Sequence, residues 1–320
     1  MASLKDIKRR IRSVKNTSQI TKAMEVVSAT KMRRSQELAL SGRPYALAAM
    51  DILKNISART SQQSISQLTS GRLLVGLSSS ALSKTPKVLL TVITSDKGLA
   101  GAFNSNVLRN VERWMRENKS ADYSILTVGK KARDYFAARK VQTLKAFTGF
   151  GDYISREETE PLAEFLLKGY VGRDWDRVVV FYTNFRTTLK QEAKMIEVLP
   201  IHTEKIEETI KGITPEYGRY ASTTSYKLQA TSFHYEYKFE PTAQEVLEKL
   251  LPILFKIQLH HIVLESNASE HSSRMVAMKN ASENAKELIG ELTIVYNKSR
   301  QAGITRELTE ITAGREALEI

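Results

Sequence analysis

A loop rich in glycine and charge follows a predicted strand and precedes a predicted helix, where phosphate-binding loops occur in α/β proteins. It reads Thr94-Ser-Asp-Lys-Gly-Leu-Ala-Gly-Ala-Phe-Asn104. The spacing of Gly98 and Gly101 matches neither G-x-G-x-x-G nor G-x-x-x-x-G-K-[ST], the patterns that cradle nucleotide phosphates. Asp96 and Lys97 carry reactive groups, but no neighbouring residue completes a site. We therefore predict that the two glycines serve a turn and close packing.

Other residue types that do chemistry are sparse or poorly spaced. The five histidines are His202, His234, His260, His261 and His271. They show no spacing with carboxylates that is typical of a metal site. No serine lies in a G-x-S-x-G pattern, and the absence of cysteine excludes disulfides, thiolate metal sites and a cysteine nucleophile. We expect no catalytic residue, no metal and no cofactor in this chain.

Charge is strongly patterned. The 320 residues contain 48 Lys and Arg against 35 Asp and Glu, a formal net charge of +13. More than half of this excess lies in residues 1–40. A solvated helix face, an acidic protein partner and a nucleic acid all remain open as explanations, although few aromatic residues interleave with the basic ones.

The sequence predicts neither a membrane-spanning segment nor a targeting segment. No window approaches the ~18 consecutive apolar residues of a membrane-spanning helix. The basic start resembles a transit peptide in composition, but its helical period continues into the residues that follow. We therefore expect this segment to be part of the folded chain and not a transit peptide.

The N-terminal segment has helical periodicity. Apolar residues recur in steps of three and four over residues 4–14, and after a polar gap Ile20, Met24, Val27 and Lys31 continue the pattern. These residues predict one long helix with a narrow apolar seam.

Composition changes after this helix. Residues 41–44 (Ser-Gly-Arg-Pro) predict a kink or joint, and residues 45–56 resume a helical pattern. Residues 57–87 are rich in serine and predict a linker.

The central part alternates between strand and helix periods, which predicts an α/β domain. Residues 201–240 are mixed, with two or three short strands at best. The predicted strands are 88–93, 124–128, 177–185 and 192–199, and the predicted helices are 104–118, 130–139 and 157–170.

A second long helix is predicted after Pro241, with Thr242 as N-cap, Glu245 three residues on and a bend at Pro252. From residue 243 to 300 it would extend about 80 to 90 Å at 1.5 Å per residue, so it needs a partner along its length. Its seam positions repeat every seven residues: Met275, Ser282, Ile289 and Tyr296, and Met278, Ala285, Leu292 and Ser299.

The most natural partner is the N-terminal helix, in an antiparallel coiled coil. The predicted fold class is therefore α/β: a long antiparallel coiled coil of N- and C-terminal helices plus a central Rossmann-like domain. The predicted divisions are 1–56 (first helix), 57–87 (linker), 88–240 (α/β domain) and 241–320 (second helix).

Motifs at both ends and in the middle give the chain a family resemblance. Ile11–Met24, Ser95–Asn104, Ser273–Ala281 and Tyr296–Ile311 together resemble, in the right order, the gamma subunit of F-type rotary ATP synthases. Residues 57–87 and 201–240 match this family poorly.

The resemblance implies a function for the coiled coil. It would be the central axle inside a hexamer of alternating alpha and beta subunits, one copy per complex, while the α/β domain meets the epsilon subunit and the membrane ring of c subunits. Proton or sodium flow would turn the axle and drive the three beta sites to release ATP. The chain would transmit torque, do no chemistry, and lie on the cytoplasmic side of the bacterial inner membrane.

The resemblance also implies partner-contact residues. Met24 matches the position facing an acidic lever loop of a beta subunit, and nearby basic residues are placed to attract that loop. Arg274 and Gln301 match positions that make polar contacts to the hexamer. The predicted contacts are Met24, Lys22, Lys31, Arg33, Arg34, Arg274, Gln301 and Thr305.

Two details depart from the family pattern. Arg315 and Glu316 stand where the family usually has small residues, which implies a partly polar bearing at the axle tip. The lack of cysteine removes the disulfide switch of chloroplast relatives. Two other classes are weighed against the stalk: a basic coiled-coil nucleic-acid-binding protein, and an α/β enzyme with an appended coiled coil.

Overall fold

The computed structural model describes residues 4–42, 44–46, 48–49, 52–53, 73, 86–201 and 238–316. Along the chain run α1 (Leu4–Ser41), β1 (Val88–Ile93), α2 (Phe103–Glu117), β2 (Tyr123–Val128), α3 (Lys130–Ala138), β3 (Lys145–Phe147), α4 (Arg156–Val171), β4 (Arg177–Phe185), β5 (Gln191–Leu199) and α5 (Ala243–Glu316).

Most of the predicted elements are confirmed within one or two residues. The short strand β3 was not predicted, and α5 extends from Ala243 to Glu316. The joint is confirmed as well, because Gly42 is a turn and the described residues between 44 and 53 are helical. Nearly all of the predicted linker and of residues 201–240 lies outside the described residues.

The chain forms two compact units. The two-helix unit contains residues 1–28 and 275–320, and the sheet unit contains residues 29–274. The helices α1 and α5 each contribute to both units. The predicted four-part division along the chain, with its boundaries, stays a prediction.

A five-stranded sheet organises the sheet unit, in the order β3-β2-β1-β4-β5. The first four strands are parallel and β5 is antiparallel to β4. The central strand β1 is buried along its whole length, with Leu90 opposite Ile125 on one side and Val179 on the other. This order is that of the Rossmann fold, with the last strand reversed, so the predicted Rossmann-like domain is confirmed.

Each face of the sheet carries its own apolar core. On one face α2 and α3 contribute residues such as Val107, Val111 and Phe136. On the other, α4 and the first half of α5 contribute Leu166, Phe255 and neighbouring residues. Burial on both faces explains why the strands are continuous apolar runs rather than alternating ones.

The start of α5 is capped as predicted. The backbone N–H of Glu245 donates to Thr242 Oγ1 at 3.2 Å, and this hydroxyl lies 3.3 Å from Glu245 Oε1. Such a cap satisfies a backbone donor that the first turn leaves unpaired. The helix continues through Pro252 without interruption.

In the two-helix unit α1 and α5 run antiparallel. Ser18 Oγ donates to the backbone O of Ser282 at 3.5 Å, and a Cβ built on Gly303 would lie 4.0 Å from Leu4 Cδ1. Earlier residues of α1 therefore lie beside later residues of α5. This confirms the predicted antiparallel coiled coil.

The seam of α5 is confirmed position by position. Met278, Ser282 and Ala285 are buried, and the other predicted seam residues are half-buried, while their neighbours on the helix are mostly exposed. Small residues at 282 and 285 allow the two backbones to approach closely.

The seam of α1 differs from the prediction. Ile20 and Val27 are 61% and 50% exposed, whereas Ser18, Thr21 and Ser28 are buried. The heptad period set by Ile7 continues through these small hydroxyl residues, so the predicted polar gap is part of the seam. Placing Ile20 and Val27 in the seam was wrong because it followed apolar identity instead of the period.

Leu292→Asp is expected to destabilise the two-helix unit. It places a carboxylate without a partner in the seam, and we expect a loss of about 1–3 kcal/mol in the free energy of unfolding. Urea unfolding followed by far-UV circular dichroism measures it. Ile294→Asp, at a position 70% exposed on the same helix, is the matched control and should change stability by less than about 0.5 kcal/mol. Equal effects at the two positions would contradict the seam assignment.

Candidate functional site

The glycine-rich loop after β1 is held by its own side chains. Ser95 donates from its backbone N–H to Asn104 Oδ1 at 3.0 Å. Asp96 accepts two backbone N–H groups, from Lys130 at 2.8 Å and from Gly149 at 2.7 Å. Asp96 therefore joins the loop after β1 to the first residue of α3 and to the loop after β3.

The N-terminus of α3 holds the loop after β1 in place. Its first three N–H groups donate to Asp96 Oδ1, to the backbone O of Ser95 at 3.1 Å and to Thr94 Oγ1 at 2.9 Å. Helix N-termini attract anions. At α3 that anion is the carboxylate of Asp96.

The two loop glycines have different roles. Gly101 has φ 54°, so the predicted turn is confirmed. Gly98 lies in a bend, but close packing does not require a glycine there, because an added Cβ would meet only the Lys131 side chain, at 3.8 Å. What Gly98 supplies is its carbonyl oxygen.

Arg274 of α5 binds that carbonyl. Its Nε and Nη2 donate to Gly98 O at 3.3 and 3.2 Å, and Nη2 also donates to Glu270 Oε1 at 2.6 Å. The adjacent Ser273 Oγ donates to Ala100 O at 2.7 Å. The Arg274 side chain is only 8% exposed. In this chain Arg274 fixes the loop after β1 to α5.

Burial acts on the acidic partner of Arg274. It raises the pKa of Glu270, and the attraction of Arg274 offsets this only in part. Glu270 and Asp96 also line a cavity of about 280 Å³ at the carboxyl ends of β1 and β2.

A second group of charges surrounds Asp152, in the loop after β3; we call Asp152, Lys31, Lys97 and His271 the Asp152 cluster. Lys31 Nζ lies 2.6 Å and Lys97 Nζ 3.5 Å from Asp152 Oδ2. His271 Nε2 lies 4.0 Å from Oδ1. Partial burial favours the neutral carboxyl, but the hydrogen bond and charge of Lys31 and the charge of Lys97 outweigh it and lower the pKa of Asp152.

His271 is buried between two charged groups. Its Nδ1 lies 3.3 Å from Arg274 Nη1, and because a guanidinium only donates, Nδ1 accepts. The ring proton is then on Nε2, which faces Asp152. Burial and the positive charge of Arg274 lower the pKa of His271 to about 4, so the ring is neutral at pH 7.

The predicted contact residues lie in different environments. Lys31 and Arg274 are engaged inside the sheet unit, as described above. Lys22 pairs with Glu25 at 3.0 Å and Arg34 with Glu37 at 3.2 Å, both through exposed basic side chains. The remaining positions are half-buried Met24 and exposed Arg33, Gln301 and Thr305. Their contacts to partners stay predictions.

In the part of the chain that the structure describes, no three His, Asp or Glu side chains are grouped so that they could hold a metal ion. None of the described helices combines the length and the apolar composition of a membrane span.

The order of the elements defines a class of α/β proteins, in which a Rossmann-like domain is inserted in the chain between two long terminal helices. A family model described as ATP synthase matches residues 3–318. ATP synthase gamma chains from Pelotomaculum thermopropionicum and Geobacter metallireducens are 37% and 38% identical to this chain, over 100% of both chains in each case. The chain therefore belongs to the ATP synthase gamma chain family.

Solved structures share the fold. A chain in the rotor of the Euglena gracilis mitochondrial ATP synthase aligns with a TM-score of 0.57 and 19% identity, covering 94% of this chain and 98% of that one. A chain in the central stalk and c-ring structure of the Tetrahymena thermophila enzyme aligns with a TM-score of 0.56 and 24% identity, covering 82% and 99%. As a gamma chain, this protein is part of the membrane-associated complex that makes ATP.

Proposed function

We propose that this chain is the central rotating stalk of its ATP synthase and carries torque between the membrane c-ring and the alpha/beta hexamer. The observation that carries the proposal is the end-to-end similarity to gamma chains of 37–38% identity. The antiparallel two-helix unit is the part suited to act as an axle, because coiled helices resist bending and twisting better than a single helix.

The chain itself would do no chemistry. The loop after β1 lacks the glycine patterns that cradle nucleotide phosphates, and its Asp96 binds the N-terminus of α3. The charged side chains at this edge bind loops and helices of the same chain. Catalysis would then belong to the beta subunits, and this chain would change their conformations in turn.

The proposed partners are the alpha and beta subunits, the epsilon subunit and the c-ring, with one copy of this chain per complex. The matched solved chains come from structures described as a rotor and as a central stalk with c-ring. We place the chain on the cytoplasmic side of a bacterial inner membrane, as a peripheral subunit; the relatives named above are bacterial. The nucleic-acid alternative receives no support from any of these comparisons.

Exposed basic residues of α1 are the proposed electrostatic contacts to a beta subunit. Arg33 and Arg34 are exposed, whereas Lys31 is engaged with Asp152. Arg33 and Arg34 are therefore the better probes of partner attraction, because changing them leaves the Asp152 cluster intact.

Arg33→Glu with Arg34→Glu is expected to weaken association with the alpha/beta hexamer about ten-fold at low salt. The effect should shrink as salt rises, because exposed charges are screened. Association is measured with a fluorophore on this chain in a salt titration. Arg113→Glu with Arg116→Glu, two exposed arginines of α2, is the matched control. An equal loss in the control would assign the effect to net charge and remove Arg33 and Arg34 from the interface.

Reconstitution tests the proposed function as a whole. Purified alpha and beta subunits are combined with and without this chain, and the mass of the complex and its ATPase activity are measured. One copy per hexamer with stimulated, cooperative ATPase supports the stalk. If no complex forms, salt-dependent binding to DNA and RNA becomes the next measurement.

A further inference from the structure

The sheet unit contains a second, larger cavity, besides the one that Asp96 and Glu270 line. It has a volume of about 440 Å³ and is lined by the end of α1, by Tyr45 and Ala46 just after that helix, by the start of α4 and by α5. All of these lining residues belong to the sheet unit. The volume falls within the range of about 300 to 1,000 Å³ that is usual for small-molecule sites.

Most of the wall of this cavity is apolar. It includes Leu38 of α1, Ala46, Ile154, and Ile257 and Leu264 of α5. Leu38 and Ile257 are half-buried, and the other three side chains belong to the buried core on the α4 face of the sheet. Such a wall suits the alkyl chain or the ring of a small molecule.

Arg156, the first residue of α4, gives this cavity its charge. Among the described residues that line the cavity, it is the only Lys, Arg, Asp or Glu. Its guanidinium lies 5.9 Å from the ring centre of Tyr45, and no carboxylate in the described part of the chain forms an ion pair with it. The neighbouring Glu158 accepts the backbone N–H of Ser155 at 3.0 Å instead. Arg156 is therefore a cation that an anion can reach.

His260 lines the cavity close to Arg156 without adding a charge. Thr159 Oγ1 donates its single proton to the backbone O of Arg156 at 3.0 Å, so His260 Nδ1, 3.1 Å from the same hydroxyl, donates to it. Burial, with a further effect of the positive charge of Arg156, lowers the pKa of His260 to about 4. The ring is thus neutral at pH 7, and the charge that a ligand meets comes from Arg156.

We propose that this cavity is a binding site for a small amphiphilic carboxylate, such as a fatty acid of medium length. The alkyl chain lies against the apolar wall, and the carboxylate pairs with the guanidinium of Arg156, whose planar group can donate to both oxygens. The ligand neutralises a cation that has no carboxylate partner among the described residues. This site does not depend on the proposed stalk function.

The test uses the purified full chain at pH 7, with octanoate as the probe and octan-1-ol as a neutral ligand of the same chain length. Isothermal titration calorimetry measures both affinities. We expect octanoate to bind at one site per chain and about ten-fold more tightly than octan-1-ol, because hydrogen bonds to charged groups are the stronger ones. Saturating octanoate should also raise the midpoint of thermal unfolding, because a ligand that binds only the folded chain stabilises it.

Three variants assign the binding to this cavity. Arg156→Gln should weaken octanoate binding about ten-fold and leave octan-1-ol binding unchanged. Ile257→Ala removes part of the apolar wall and should weaken both ligands by the same factor, at least about four-fold. Arg139→Gln is the matched control and should change neither affinity. Arg139 is also an exposed arginine over a tyrosine ring, 3.6 Å from the centre of Tyr135, but it does not line this cavity.

Several results would overturn the proposal. One is a parent chain that shows no saturable binding of octanoate. Another is an Arg156→Gln chain, folded by far-UV circular dichroism, that binds octanoate as tightly as the parent. An equal loss in Arg139→Gln would assign the effect to net charge and remove Arg156 from the site. If Arg156→Gln does not fold, the two ligands decide, because equal affinities of the parent for octanoate and octan-1-ol contradict a paired carboxylate.

Discussion

Gly129→Ala is expected to lower the free energy of unfolding by about 3–5 kcal/mol, enough to unfold a marginally stable domain. Gly129 precedes α3 with φ 95° and ψ 146°, a backbone conformation that is nearly restricted to glycine. A Cβ at this position would lie 2.1 Å from the carbonyl oxygen of Thr94. Because that oxygen belongs to the backbone where β1 ends, it cannot move away without disturbing the sheet edge.

Gly149→Ala is the matched control for this effect. Gly149 also has a positive φ, of 88°, but an added Cβ would meet nothing within 4 Å. Gly149→Ala should lower the free energy of unfolding only by the backbone strain of a positive φ, about 1–2 kcal/mol. Urea unfolding of both variants gives the comparison. Equal losses would show that crowding against Thr94 contributes nothing.

Acid is expected to destabilise the chain between pH 6.5 and 4. Burial lowers the pKa of both His260 and His271 to about 4, with further lowering by Arg156 and Arg274 respectively. In this window the unfolded chain is protonated at these rings and the folded chain is not. Because the unfolded state binds more protons, the free energy of unfolding decreases as the pH is lowered. Each histidine contributes at most about 1.4 kcal/mol per pH unit.

Other charged groups near His260 and His271 also change how the free energy of unfolding depends on pH. Burial raises the pKa of Glu270, so its contribution to stability is greatest in acid and opposes that of the histidines. The pKa of Asp152 is lowered, and its contribution is lost only below its ordinary pKa of 3.8. Glu157, beside His260, is exposed and has a lowered pKa.

Urea unfolding at a series of pH values measures this slope. His271→Gln and His260→Gln should each flatten it, and Glu270→Gln should steepen it. A slope between pH 6.5 and 4 that is the same in the parent and in both histidine variants would show that neither ring is held neutral by burial.

The sequence predicted the elements of the fold better than their contacts. Strands such as β1 and β4 are continuous apolar runs, and this signal is local. The strand β3 has only three residues, including Lys145, so no local period could reveal it. Ile20 and Val27 were wrongly predicted to lie in the seam of α1 because they are apolar. The buried positions follow a seven-residue period, and the residues at those positions are serine and threonine.

The candidate site was less predictable because its contacts join distant parts of the chain. Arg274 and Gly98 are 176 residues apart, and Lys31 and Asp152 are 121 apart. No spacing rule connects such positions. One signal was available: Lys31 falls at a predicted apolar position of α1, and a lysine there implies a partner for its charge. The sequence gives no indication of which carboxylate that partner is.

Rotation of this chain inside the alpha/beta hexamer tests the central claim most directly. Because the chain contains no cysteine, Ser120→Cys, in an exposed turn after α2, creates a single attachment point for a bead on an immobilised complex. The stalk account predicts that ATP drives stepwise rotation of the bead in one direction, with an average speed that follows the ATPase rate. A complex that hydrolyses ATP at the parent rate while the bead shows only undirected fluctuation would contradict it.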